Sequence, residues 1–168
     1  TRVTDKSYKD LWGSMWENKK YKIAIVGSRA NKFTAVTEAK AKDIIRSILQ
    51  SRPNAVLVSG GCPEGGIDIW AEEVATAMGL QQDIKRPKEH CWSPVGGGYG
   101  YRERNLDIAK ECDEIHCIVV ADYPPSYTGP KTPGCVHCGT TDHIKSGGCW
   151  TARKAEAMGK LAKWHVVG

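Results

Sequence analysis

The sequence predicts an α/β fold in which a parallel sheet of about five strands carries helices on both faces. Strand-like runs alternate with helix-like segments along the 168 residues, which is the order found in parallel sheets. Each strand-like run is almost continuously apolar, as expected for a strand buried on both faces. The length suits one domain, which buries about two-thirds of its unfolded surface.

The first half of this core begins with YKIAIVGS at 21–28, which we interpret as a buried strand. The segment 34–50 has apolar residues at helical spacing and is ended by RPN. A second buried strand is predicted at 55–61 (AVLVSGG). A helix at 67–79 is closed by a C-terminal glycine. Together these segments predict a strand–helix–strand–helix order.

The second half begins with a weaker strand near 80–85, followed by the Gly-rich loop SPVGGGYG and a short helix at about 102–110. EIHCIVVA at 114–121 is again a continuous apolar run and predicts a further buried strand. TARKAEAMG at 151–159 predicts a helix capped by its final glycine. AKWHVV at 162–167 predicts the last strand.

Residues 1–20 precede this core, which spans 21–168. Trp12 and Trp16, spaced i and i+4, predict a helical extension that packs on the domain or on a partner. The formal net charge is +5, and residues 1–22 hold six basic against three acidic side chains. The positive charge that remains in the rest of the chain is not clustered in the sequence. Nucleic-acid binding is therefore an alternative that we do not favour.

Compartment and partners are predicted from what the sequence lacks. No apolar run approaches the roughly 20 residues that cross a bilayer, and the first residues lack the apolar core of a signal peptide. Seven cysteines do not suit a fully paired disulfide framework, and we interpret Cys62, Cys112 and Cys117 as ordinary thiols of a reducing compartment. We expect a cytoplasmic protein without a membrane partner; whether it forms a homo-oligomer stays open.

The carboxyl edge of the sheet is where ligands bind in such folds. Gly27-Ser28-Arg29 follows the first strand and offers a tight turn, a hydroxyl and a guanidinium for phosphate. Gly60-Gly61 and Gly65-Gly66 precede a helix N-terminus that favours an anion. Asp68 in its first turn is either a capping residue or a hydrogen-bond partner of a ribose or base. The dinucleotide-binding GxGxxG and the P-loop are both missing, which excludes those two standard classes.

These motifs resemble the SLOG superfamily, the Rossmann-like group that contains the LOG phosphoribohydrolases and the SMF/DprA DNA-processing proteins. Trp92 ahead of the Gly-rich loop, RERN, DEIHCIVV and SGGCWTARKAEAMGK complete the resemblance, which runs from about 21 to 167 and is closest to the YspA-like branch. It implies a pocket for a nucleotide or nucleotide derivative. By motif, the pocket would be lined by Gly27, Ser28, Arg29, Gly60, Gly61, Asp68, Arg104, Asn105, Gly147, Gly148 and Thr151.

One LOG motif is altered in a way that bears on activity. LOG enzymes carry GGxGTxxE, in which the Glu serves N-glycosidic cleavage; here Trp150 stands for the third Gly and Lys154 for the Glu. Without that carboxylate, the cationic transition state loses an electrostatic partner and the attacking water loses its base. The sequence therefore favours ligand binding. A phosphoribohydrolase-like nucleotide-processing enzyme is the alternative, and whether any reaction is catalysed stays open.

Residues 121–146 separate the strand that ends at Val120 from the glycine pair, and we assign a Pro-rich, zinc-binding insert to about 121–149. It opens with the stiff, Pro-rich ADYPPSYTGPKTPG. There follow Cys135 and Cys138, then His143, then Cys149 at the end of the insert, a spacing that suits tetrahedral zinc. A polar loop of this kind lacks a core, so a metal would explain how it stays folded.

The sequence leaves other interpretations of the insert open. A disulfide or free thiols are the alternative to zinc, although a thioredoxin-like pair would begin a helix after a strand. His137, His90 or Cys91 could replace a proposed metal ligand. With four protein ligands the zinc would be structural. Because Cys149 directly follows Gly147-Gly148, we expect the metal to fix the shape of a phosphate-binding turn.

Overall fold

A computed structural model describes residues 20–168 of the chain. The helical extension predicted around Trp12 and Trp16 lies outside the described residues. The described part contains five strands: β1 (Lys22–Gly27), β2 (Val56–Ser59), β3 (Gln82–Ile84), β4 (Glu114–Val120) and β5 (Leu161–Val167). It contains four α-helices: α1 (Ala35–Gln50), α2 (Ile67–Ala77), α3 (Tyr101–Glu111) and α4 (Gly147–Ala157).

The predicted fold class is confirmed. All five strands are parallel and lie in the order β3-β2-β1-β4-β5. The chain adds β2 and β3 on one side of β1 and then crosses to add β4 and β5 on the other. The strand order therefore reverses between β1 and β4, and ligands of doubly wound sheets bind at that point, beyond the carboxyl ends of the strands.

Two apolar layers account for the unbroken hydrophobic runs. Ile23 and Ile25 belong to the layer that packs the sheet against α1 and α2. Ala24 and Val26 belong to the layer on the opposite face, against α3 and α4. Because successive side chains of a strand point to opposite faces, a strand buried on both sides is apolar at every position.

Helix α4 corrects one predicted boundary. We expected this helix to begin at residue 151, but it begins at Gly147. Two adjacent glycines have low helix propensity, so their pattern indicated a loop. The helix starts there because Ser146 caps it: the Ser146 Oγ accepts a hydrogen bond from the Gly148 N–H at 3.0 Å. The glycine pair is thus the first turn of a helix.

Within residues 20–168, none of the helices has both the length and the apolar character needed to span a membrane.

Candidate functional site

A cleft of about 400 Å³ lies where the strand order reverses, and its size is in the range of small-molecule sites. Three helices contribute their N-terminal turns to its lining: α2 through Asp68, α3 through Tyr101 and Arg104, and α4 through Gly147 and Gly148. A helix N-terminus has a positive electrostatic potential, and several N–H groups of these first turns already donate hydrogen bonds within the chain. The electrostatic potential of the three helix ends therefore suits an anion.

Most of the residues expected from the motifs meet in this cleft. Ser28 and Gly61 are outside its lining. The Ser28 N–H donates to the Ile118 carbonyl oxygen at 3.1 Å, and the Ser28 carbonyl accepts from the Ile67 N–H at 3.2 Å, so Ser28 ties β1 to β4 and α2. The expected residues that line the cleft are Gly27, Arg29, Gly60, Asp68, Arg104, Asn105, Gly147, Gly148 and Thr151.

The first turn of α4 packs directly on the end of β1. A Cβ atom added to Gly148 would lie 2.6 Å from the backbone nitrogen of Gly27, which is well inside van der Waals contact. A Cβ added to Gly147, one residue earlier, would meet nothing within 4 Å. Only the second glycine of the pair is therefore required by packing.

This difference gives a matched test. Gly148→Ala is expected to lower the free energy of unfolding by about 1–3 kcal/mol, because the methyl group forces backbone against backbone. Gly147→Ala is expected to leave stability unchanged or slightly raised, since alanine is the better helix former. Urea denaturation of both variants measures the difference. Equal stabilities would contradict the packing of α4 on β1.

The cleft has an excess of positive charge. Arg29 forms an ion pair with Glu64, and the Lys32 Nζ donates to the Lys145 carbonyl oxygen at 2.8 Å. Burial lowers the pKa of Lys32. Four basic side chains face two acidic ones around the cleft: Arg29, Lys32, Arg104 and Lys145 against Glu64 and Asp68.

Arg104 and Asp68 form the polar floor of the cleft. Arg104 is buried, and its Nη1 donates to the Gly60 carbonyl oxygen while its Nε donates to Asn105 Oδ1 at 2.8 Å. These two bonds use Nε and Nη1 and do not involve Nη2. Asp68 Oδ2 accepts the Cys62 N–H at 3.2 Å. Burial raises the pKa of Asp68 to about 6, and the charge of Arg104 opposes that rise.

Aromatic side chains complete the cleft. Trp92, Tyr101 and Tyr127 line it, and Trp92 packs edge-to-face on Trp150, with ring centroids 4.8 Å apart. Lys154, at the position of the LOG glutamate, is exposed and lies over the Trp150 ring at 5.2 Å. Trp150 therefore packs against Trp92 without lining the cleft itself.

A second cluster lies beside the cleft. The ligand atoms of Cys135, Cys138, His143 and Cys149 all lie within 4.8 Å of one another. The His143 Nε2 is 3.6 Å from the Cys149 Sγ. Three sulfur atoms and one imidazole nitrogen this close together could hold a metal ion. These are the four residues that the sequence spacing predicted.

The backbone explains why the two cysteines of the pair converge. The Cys135 N–H donates to the Thr140 carbonyl oxygen, and the Gly139 N–H donates to the Cys135 carbonyl oxygen, both at 2.9 Å. Gly134 and Gly139 have φ values of +65° and +69°, which glycine adopts without strain. The chain therefore folds into a tight turn with both thiols on one side.

An outer hydrogen bond orients the histidine. The His143 Nδ1 lies 2.8 Å from the Asp142 Oδ1, and the same oxygen accepts from the Thr140 Oγ1 at 2.6 Å. Carboxylates support metal-binding histidines in this way, because they fix the ring and direct the other nitrogen at the metal.

The other candidate ligands lie elsewhere. His137 lines the cleft, and His90 Nδ1 lies 3.3 Å from the Tyr101 hydroxyl. Cys91 is exposed, and all seven cysteines are free thiols. None of His137, His90 and Cys91 belongs to the four-residue cluster.

Sequence reasoning missed the role of Cys117. This buried residue of β4 has its Sγ 3.8 Å from the Cys149 Sγ. Its thiol lowers the pKa of Cys149 to about 5, and His143 adds to that effect. Cys117 is part of an apolar strand and lies 32 residues from Cys149, so no local spacing could have indicated the contact.

The comparisons with known proteins show the fold. No protein-family model and no curated protein matches the sequence. The molybdenum cofactor carrier protein from Chlamydomonas reinhardtii has a similar structure, with a TM-score of 0.55 and 13% identity over 89% of this chain and 91% of that one. TM1055, a structural-genomics target, also has a similar structure, with a TM-score of 0.54 and 14% identity over 84% of this chain and 72% of that one. The Rossmann-like fold implied by the SLOG resemblance is confirmed.

Proposed function

We propose that this chain binds a nucleotide or nucleotide-derived small molecule in the cleft, and that a structural zinc ion shapes the turn that receives its phosphate. The observation that carries this proposal is the convergence of three helix N-termini and an excess of basic side chains at the point where the strand order reverses. In Rossmann folds the phosphate groups of the ligand lie at such a helix N-terminus.

The phosphate would lie at the first turn of α4. Gly147 and Gly148 keep that turn free of side chains, and Lys145 and Lys32 place two cations beside it. The Ser146 hydroxyl accepts the Gly148 N–H and can donate its own hydrogen to a ligand oxygen. These groups together suit a phosphate monoester.

The rest of the ligand would lie along the aromatic side of the cleft. Trp92 and Tyr101 offer ring surfaces on which a base or another flat heterocycle can stack, while Asp68 and Asn105 can accept or donate hydrogen bonds to a sugar. One fold neighbour is described as a molybdenum cofactor carrier protein, so that cofactor belongs among the ligands to be tested.

Zinc suits the cluster because three thiols and one imidazole form a tetrahedral set of soft and borderline ligands. Four protein ligands leave no open position for a water molecule, which indicates a structural ion. On this proposal the chain is a SLOG protein near the YspA-like branch, with a nucleotide-binding domain over 21–168 and a zinc-binding insert at about 121–149.

The direct test is to identify small molecules that co-purify with the native protein by mass spectrometry. Calorimetric titration with nucleoside mono- and diphosphates and with the molybdenum cofactor then ranks these ligands by their affinity for the protein. A protein that binds no phosphorylated ligand at millimolar concentration would refute the proposal.

Arg104→Ala is expected to weaken nucleotide binding about ten- to a hundredfold, because a charge-assisted hydrogen bond contributes about 1.5–3 kcal/mol. Arg102→Ala, an exposed position on the same helix, is the matched control and should bind as the wild type does. Because Arg104 also holds the Gly60 carbonyl, Arg104→Lys separates loss of charge from loss of structure. Unchanged affinity in Arg104→Ala would restrict Arg104 to that structural bond.

A nucleotide-processing hydrolase is the second candidate, and Asp68 is the observation that favours it. A carboxyl group with a pKa of about 6 in a ligand cleft can exchange a proton near neutral pH, as a general acid or base must. Incubation with nucleoside monophosphates, followed by assay for free base and phosphate, tests this function. Release that is abolished in Asp68→Asn would establish it.

A further inference from the structure

The insert carries two histidines that the structure separates into different sites. His143 belongs to the metal cluster. His137, between the two cysteines of the turn, lines the cleft instead. Its neighbour Val136 is exposed to solvent. The insert therefore places one imidazole in the metal-ligand cluster and another at the cleft.

His137 is held in this place by its neighbours in the chain. Cys138 follows it directly and belongs to the cluster. The hydrogen bonds from Cys135 to Thr140 and from Gly139 to Cys135 close the turn on both sides of it. A metal ion bound by Cys135 and Cys138 would fix the backbone at either end of the two-residue segment that contains His137.

The insert also forms one wall of the cleft, with Tyr127, His137 and Lys145 among the lining residues. Tyr127 and His137 lie in a segment that the SLOG motifs do not include. An imidazole offers one hydrogen-bond donor and one acceptor when neutral. It therefore suits the polar, sugar–phosphate side of a ligand whose phosphate lies at the first turn of α4.

We propose that His137 contacts the bound ligand directly, and that coordination of the metal by the adjacent Cys138 holds it in place for that contact. The inference rests on the proposed function, since it assigns a specificity-determining residue to the same cleft. It assigns to the turn two tasks that fall on adjacent residues: Cys138 binds the metal, and His137 binds the ligand.

The test compares three variants of the full chain in metal content and in affinity for a nucleoside monophosphate panel (AMP, GMP, CMP and UMP). His137→Ala is expected to keep the wild-type zinc content and to lose about three- to tenfold in affinity, the contribution of one neutral hydrogen bond. Val136→Ala should change neither quantity. His143→Ala should lose metal.

Substitution by cobalt(II) gives a second measurement, because the absorption spectrum of the ion reports tetrahedral thiolate coordination. His137→Ala should show the wild-type spectrum, and His137→Asn, which keeps a donor and an acceptor, should recover part of the affinity. An altered spectrum or lost metal in His137→Ala would make His137 a metal ligand and overturn the inference. Wild-type affinity in His137→Ala would overturn it while leaving the proposed function intact, whereas a wild type that binds neither these monophosphates nor any other phosphorylated ligand of the titrations above would refute both.

Discussion

Cys138→Ser is expected to lose the metal, and we expect the wild-type protein to hold about one zinc per chain. The variant leaves two thiols and one imidazole, and a serine hydroxyl is a poor zinc ligand at neutral pH. The Pro-rich insert has little apolar core of its own, so we expect its fold to depend on the ion. The melting temperature should fall by about 5 °C or more.

The matched control for this prediction is Cys91→Ser. Cys91 is exposed and lies outside the four-residue cluster, so its loss should leave both zinc content and melting temperature unchanged. Zinc is measured by elemental analysis of the purified protein, and melting by circular dichroism. If wild-type protein stripped of metal melts at the same temperature as the zinc-loaded form, the ion does not stabilise the fold.

Removal of the metal is also expected to weaken nucleotide binding about a hundredfold or more. Cys149 belongs to the metal cluster, and the two residues before it, Gly147 and Gly148, line the cleft. Without the ion, ligand binding must order the segment around His137, at about 1–2 kcal/mol per residue fixed. Two or three residues account for the expected factor.

The coupling must be reciprocal, so bound nucleotide should tighten zinc by the same factor. The measurement is calorimetric titration of one nucleoside monophosphate, chosen for its affinity to the wild type, into zinc-loaded and chelator-stripped protein. Circular dichroism must first show that both forms are folded. Equal affinities would mean that the insert and the cleft are independent.

The fold could be predicted because its elements are marked by local signals. The apolar runs of β1 and β4 indicate burial on both faces, and Gly79 and Gly159 mark the ends of α2 and α4. The start of α4 could not be predicted, since a glycine pair disfavours a helix until a cap such as Ser146 and the contact of Gly148 with β1 are known. Tertiary packing decided that boundary against intrinsic propensity.

The two sites differ in how far the sequence predicted them. The four residues of the metal cluster lie within 15 positions of one another in the sequence. Their spacing alone was therefore enough to predict that they form one site. The cleft is assembled from distant segments, and Lys32 and Tyr127 carried no motif that would have indicated it. Cys117 was missed for the same reason, because a cysteine in a buried strand has the pattern of an ordinary core residue.

The close contact between Gly148 and Gly27 has a further consequence for recognition. Main chain rests on main chain there, and Cys117 lies directly behind Cys149, so the first turn of α4 has no room to move away from an arriving ligand. A ligand that binds there, as proposed, would meet a backbone whose directions were set during folding, and such preorganisation reduces the entropy lost on association. The cleft should therefore be a rigid site that selects ligands by shape. A ligand that carries one additional bulky substituent at its phosphate should bind much more weakly than the unsubstituted ligand.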